Sequence, residues 1–191
     1  MAIVTLDQVR EYLNISTPVA SKDDALLMRL IDAAQSLIEE RTRRRFEPLA
    51  ATRYYGQEHV AGALLFLDDD LLTVTNLMDG TGATVSSTDY KLEPRNYKPY
   101  SMVRIGSARA WLFNPDGEVA ITGTWGYDDT CPHFDVAVQA VIRTVAWLYR
   151  QRDTSGDQDR PIASDSGMLI MPSRLPSDIY DMIQPLRRGN R

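Results

Sequence analysis

Three groups of side chains in this sequence have types and spacings that could do chemistry. Asp68-Asp69-Asp70 is a carboxylate run of the kind that holds magnesium in nucleases. Cys131 and His133 stand two positions apart, with His59 far away in the chain, and offer a thiolate and two imidazoles. Arg41, Arg43, Arg44 and Arg45 crowd four cations into five residues. A structural zinc site takes four ligands, whereas one Cys and two His supply at most three, and no carboxylate spacing completes the set. A Cys–His nucleophile pair is equally unsupported, because near neighbours at a helix start do not present the needed geometry. The three aspartates lie between apolar strand-like runs, where a solvated turn accounts for them, and two-metal hydrolysis needs further carboxylates. No Gly-rich phosphate loop precedes a helix, and no Ser/His/Asp arrangement is present. The residues therefore predict no catalytic centre, no metal site and no cofactor.

The arginines read in two ways. Cations at the C-terminal end of a helix complement its dipole and pair with Glu39, Glu40 or a neighbouring molecule's acids. Alternatively, they touch passing DNA at its phosphates without reading sequence. A subunit-interface role and a channel-facing role both stay open for Arg41, Arg43, Arg44 and Arg45.

The elements that must position these groups follow from periodicity. Thr5 and Gln8 have the spacing of a capping box, and Leu6, Val9, Tyr12 and Leu13 fall on one helical face. A loop over 14–20, containing Pro18, ends that helix. Ser21 is placed to cap a second helix, with Asp23 and Asp24 in its first turn and an apolar stripe from Leu26 to Ile38. That pattern predicts a helix to about Arg45, with Pro48 blocking continuation. From Thr52 to Tyr127 the pattern changes to short β-rich runs separated by turn chemistry such as Asp79-Gly80-Thr81-Gly82 and Asn114-Pro115-Asp116-Gly117. Leu64–Leu67, Leu71–Leu77 and Thr84-Val85 read as separate strands in a small antiparallel sheet or sandwich.

Pro132 suits the first turn of a long helix carrying Val136, Ala140, Val141, Val145 and Leu148, widened by Val138, Ile142, Trp147 and Tyr149. So wide an apolar circumference predicts burial on two sides, one available to its own domain and the other open to a neighbouring subunit. Trp125-Gly126-Tyr127 then reads as a structural joint with Pro132: glycine for a sharp turn, aromatics to seal the sheet against the helices. The stretch 153–167 is polar and rich in Ser, Asp and Gly, which predicts a mobile loop, and Met168–Met171 a brief extended piece. A short helix follows Pro176, with Ile179, Tyr180, Met182, Ile183 and Leu186 as an apolar face and Arg187 and Arg188 as charged anchors. The predicted fold class is α+β. A small helical bundle (two N-terminal helices, one long helix, a short C-terminal helix) carries an inserted antiparallel β module. Its predicted parts are 1–51, 52–127, 128–152, 153–172 and 173–191.

Bulk properties narrow the function classes. A net charge of −5 argues against a protein that wraps duplex DNA, which is ordinarily basic. One cysteine rules out an internal disulfide and fits a reducing compartment. The first sixteen residues lack a basic region followed by an apolar one, so no secretion signal is expected. No run approaches the roughly 18–20 apolar residues of a membrane span.

The order of elements, with these residues, resembles the gp6-like head–tail connector (adaptor) family of tailed bacteriophages. The resemblance is carried by "TLDQVREYLNI", "DDALLMRLIDAAQSLIEERTRRRF", "RYYG" at 53–56, "ITGTWGYDDTCP" leading into the long helix, and "LPSDIYDMIQPLRR". It covers nearly the whole chain and is weakest over 57–118. It implies a non-enzymatic structural protein of the virion head–tail interface, assembled in the host cytoplasm. Such a protein forms a ring, often twelvefold, under the portal. It extends the DNA channel, touches the DNA only transiently, and offers a docking surface to a stopper or tail-completion protein. The resemblance also implies that the C-terminal segment engages the portal. The alternatives are a DNA-processing or packaging accessory with a metal-dependent nuclease site, and a host-encoded helical interaction domain.

Overall fold

A computed structural model describes residues 2–15, 23–151 and 175–189. Ser21, Pro18, the expected loop at 153–167 and the expected extended piece at 168–171 lie outside the described residues. The chain divides into two compact units: a helical one, Met1–Arg43 with Asp135–Arg191, and a β-rich one, Arg44–Phe134. The architecture is a helical bundle with an inserted antiparallel β module.

In the helical unit, α1 (Leu6–Leu13) begins at the expected capping box. The Thr5 hydroxyl accepts from the Gln8 N–H, and the Gln8 side chain accepts from the Thr5 N–H at 2.8 Å. Asn14 closes the helix in the left-handed region, φ 57°. In α2 (Asp24–Thr42) the buried residues Leu27, Leu30, Ile31, Ala34, Ile38 and Thr42 recur at helical spacing. The helix stops at Thr42, short of the expected Arg45, because Arg43 turns left-handed at φ 55° and donates its N–H to the Glu39 carbonyl. Arg10 reaches Asp24, pinning α1 to the start of α2, and the Ile3 N–H donates to Gln35 Oε1 at 2.9 Å.

Helix α3 (Phe134–Gln151) begins two residues after Pro132, because His133 sits at φ 64° and cannot be part of a right-handed helix. Ala137, Ala140, Val141, Ile142, Thr144, Val145, Ala146 and Leu148 are all buried within the single chain, and Val136, Val138, Trp147 and Tyr149 are half-buried. Most of the wide stripe is thus covered within the chain itself. The Tyr149 hydroxyl donates to Asp23 at 2.7 Å. Helix α4 (Ser177–Ile183), continued by one tight turn over Gln184–Leu186, buries Ile179, Ile183 and Leu186 at i, i+4 and i+7.

The β unit is one antiparallel sheet in the order β1-β6-β3-β5-β4, with β2 paired to the start of β3. Its strands are β1 (Leu49–Tyr55), β2 (Val60–Ala61), β3 (Leu64–Met78), β4 (Tyr90–Glu93), β5 (Tyr100–Ile105) and β6 (Val119–Trp125). In β6, Val119, Ile121, Gly123 and Trp125 are buried and the residues between them are not, the period of a half-buried strand. Leu65, Leu71, Leu77, Val103, Ile105, Tyr55 and Trp125 complete that core. Two expectations change. Leu64–Leu67 and Leu71–Leu77 are one fifteen-residue strand with the three aspartates inside it, and Thr84-Val85 makes only an isolated bridge from Thr84 to Met78.

Gly123 lies where β6 crosses β3 so closely that a β-carbon would stand 2.0 Å from the Thr73 carbonyl oxygen. Replacement by alanine must push two central strands apart. We expect Gly123→Ala to lower folding stability by about 1–3 kcal/mol, the usual cost of overpacking, read as a shifted urea midpoint at unchanged slope.

Candidate functional site

The carboxylate run is the only sequence-predicted chemical cluster that the fold gathers with partners, and it does so at an irregularity. Pairing of β3 with β5 loses register between Phe66 and Leu71, so the aspartates occupy a bulge. Burial changes sharply along it: Asp68 is exposed, Asp69 half-buried, and Asp70 only 2% exposed.

Each carboxylate is claimed by a different group. Arg53 on β1 pairs with Asp68 at 3.2 Å and also with Asp69. To do so it crosses β6, with its guanidinium 4.8 Å from the centre of the Trp125 ring. The Tyr55 hydroxyl donates to Asp68 at 2.7 Å, and burial followed by that contact pushes its phenol far above the ordinary value. Asp70 binds Arg44 at 2.5 Å, and Arg44 in turn stands 4.8 Å over the Tyr127 ring. Among the described residues, no group of three or more His, Cys, Asp or Glu side chains is placed to hold a metal ion. The acidic run is not the solvated turn the sequence suggested; it is a set of internal ion pairs within a strand.

Trp125, Gly126 and Tyr127 continue this network. The Trp125 indole N–H donates to the Ala51 carbonyl at 3.0 Å. The Gly126 N–H donates to the Asp70 carbonyl, and the Tyr127 N–H to that of Arg45, both at 2.8 Å. Gly126 has φ 128°, and a β-carbon there would meet the Glu47 and Arg45 carbonyls at 3.0 and 3.2 Å, so only glycine fits. The Tyr127 ring meets Phe46 edge-on at 5.7 Å, and its hydroxyl donates to the Pro132 carbonyl. Faces that could have stacked on a ligand are occupied by the chain's own arginines.

The remaining candidates are dispersed. Cys131 is buried beside Asp128, with burial pushing its thiol up to about 11. His133 is exposed, and His59 packs edge-on against Tyr55 at 5.3 Å. Arg41, Arg43 and Arg45 are exposed, whereas Arg44 is the partner of Asp70. In the C-terminal segment Ile179, Ile183 and Leu186 belong to the core of the helical unit, while Tyr180 and Arg187 are exposed and Met182 and Arg188 half-buried. At its edges Arg143 pairs with Asp178 at 2.6 Å, and the Arg188 N–H donates to the Thr42 carbonyl at 2.8 Å. Arg53 went unnoticed in the sequence; a lone arginine in an aromatic strand gives no local sign of partners fifteen residues away.

With this geometry in hand, comparison with known proteins is informative. Residues 3–66, running from the first helix into β3, match a family model. That family is the phage gp6-like head–tail connector proteins. The match covers the segment holding "TLDQVREYLNI", the second helix and "RYYG". No curated protein matches. Among solved structures, a chain in the neck of an empty GTA particle computed with C6 symmetry aligns at TM-score 0.61 and 22% identity, over 97% of this chain and 90% of that one. A chain in the neck of a native GTA particle computed with C12 symmetry aligns at TM-score 0.60 and 19% identity, over 97% and 89%. A third, from the virion of a native gene transfer agent, aligns at TM-score 0.58 and 23% identity, over 97% and 90%. At these identities the likeness is one of fold, and it spans both units.

Two outcomes follow from the buried groups. Asp70→Ala leaves a buried guanidinium without its carboxylate and should cost about 3–5 kcal/mol by chemical denaturation. The Cys131 thiol is held up to about 11 against an ordinary 9.0, so above about pH 9 the unfolded chain releases a proton that the folded chain keeps. Stability should therefore fall as pH rises from about 9 towards 11, and Cys131→Ser should reduce that slope in urea melts at successive pH values.

Proposed function

We propose that this chain is a non-enzymatic structural component of the neck of a phage-like particle: a head–tail connector that assembles as a ring beneath the portal. The observation that carries the reading is the correspondence of nearly the whole chain with chains of GTA particle necks, joined to a connector-family match over its N-terminal third. A twelvefold ring is the working stoichiometry, in keeping with the C12 symmetry used for one of those necks. In this reading the chain extends a DNA channel, contacts the DNA transiently, and offers its far side to a stopper or tail-completion protein. It acts in the virion after assembly in the host cytoplasm.

The residues divide accordingly. Trp125, Gly126, Tyr127 and Pro132 serve as a structural joint near the end of the β unit. Arg41, Arg43 and Arg45, being exposed, are available to a neighbouring subunit or to the channel. Arg44 serves the fold through Asp70. The portal-binding surface is the outer side of the C-terminal segment, Tyr180 and Arg187 with parts of Met182 and Arg188. Ile179, Ile183 and Leu186 anchor it from within.

Portal-containing, DNA-filled heads lacking the protein, mixed with purified chain and imaged by cryo-electron microscopy, should gain a ring below the portal. An unchanged vertex, under conditions that support assembly of a known connector, would rule out the reading. A double variant, Tyr180→Ala with Arg187→Glu, should weaken attachment at least roughly tenfold while melting like the parent. Ile183→Ala should instead lose about 2–5 kcal/mol of folding stability.

A further inference from the structure

The β4–β5 hairpin carries a charge arrangement that the fold alone disfavours. Lys91 and Arg104 are direct cross-strand partners and both are exposed. Like charges facing each other across an antiparallel pair destabilise it. The connecting tip, residues 94–99, adds Arg95 and Lys98. Glu93 is the single carboxylate in the two strands and their tip; it accepts from Arg95 at 3.2 Å and lies 3.5 Å from Arg104 Nε. The nearest acidic residue before β4, Asp89, is paired with Arg109 at 3.1 Å. Four cations against one carboxylate leave three uncompensated positive charges on the hairpin of a chain whose net charge is −5.

The tip is also rich in hydrogen-bond donors. Arg95, Asn96 and Tyr97 are exposed, Tyr97 at 59%. All three side chains can donate and none is anionic. A surface of donors and cations is complementary to phosphate, which only accepts. We propose that the β4–β5 hairpin is a contact surface for the phosphate backbone of double-stranded nucleic acid, made without reading sequence. The chain's overall negative charge keeps this contact weak and strongly salt-dependent. The inference rests on the DNA contact of the connector reading and assigns it a surface, but it does not need ring formation, since every residue it uses belongs to one hairpin of one chain.

The test is fluorescence anisotropy of the full chain with a labelled duplex of about 30 base pairs across a salt series, where three uncompensated cations predict a log–log slope of about −2.7. Lys91→Glu converts the like-charged pair into an ion pair with Arg104. That variant should melt at or above the temperature of the parent, yet bind duplex roughly tenfold more weakly or worse. No duplex binding at the lowest salt, or Lys91→Glu binding as tightly as the parent, overturns the proposal. Polyglutamate bound as tightly as duplex, and through Lys91, overturns it in favour of an acidic protein partner. None of these failures would touch the portal-binding experiment, so the two readings fall separately.

Discussion

A carboxylate buried in the middle of the longest strand is the constraint around which the β unit is organised. Asp70 is 2% exposed, and an ionised carboxylate is held there only by a cation and hydrogen bonds. Arg44 provides the cation, which fixes residues 44–47 against β3. The same guanidinium covers Tyr127, whose N–H returns to Arg45, while Gly126 donates to the backbone of Asp70 itself. A closed circuit results: the point where the chain enters the unit and the point where it is about to leave are tied to the same residue of β3. The glycine at 126 is then forced, because any side chain there would strike the carbonyls of that entering segment.

The same chemical types meet opposite fates a short distance apart. Asp68 and Asp69 look like metal ligands in the sequence, yet Arg53 spans a strand to reach them, stacking over Trp125 on the way. Their charge is spent inside the unit. Lys91 and Arg104 look like ordinary polar positions of a surface strand, yet they are set against each other, and Glu93 lies near Arg104 while also serving Arg95. Their charge is left outward. Which clusters are chemistry and which are masonry was decided here by pairing, a long-range property, and not by residue type.

That distinction sets what could be read in advance. Both N-terminal helices were legible because their signals are local: a capping box three residues long and apolar spacing over a few turns. So was the change from helical to strand periodicity near residue 50, and with it the bundle carrying a β insertion. The end of α2 was misjudged by three residues, since nothing in Arg43-Arg44-Arg45 announces which arginine will turn left-handed. The aspartates were misread as a turn because three acids in a row are usually solvated. Only the strand register brings Arg53, Tyr55 and Arg44 to them, from 13 to 26 residues away. The breadth of α3 was legible as burial on more than one side, but composition does not say how many chains supply the cover.

The C-terminal helix makes a final constraint explicit. Its exposed ion pair, Arg143 with Asp178 at 40% and 49% exposure, contributes little by itself. Ile179, Ile183 and Leu186 are therefore what hold it, and they are fully used in the chain's own core. A partner that needed those three residues would first have to undock the helix, and the cost of that step would be subtracted from its affinity. A partner that reads Tyr180 and Arg187 leaves the helix docked and meets only the cost of ordering those two side chains. Buried anchors and an outward Tyr180 on one short helix, with Arg187 just past its last turn, are thus not competing readings of the same residues. In the proposed reading, the first is the condition under which the second binds a partner.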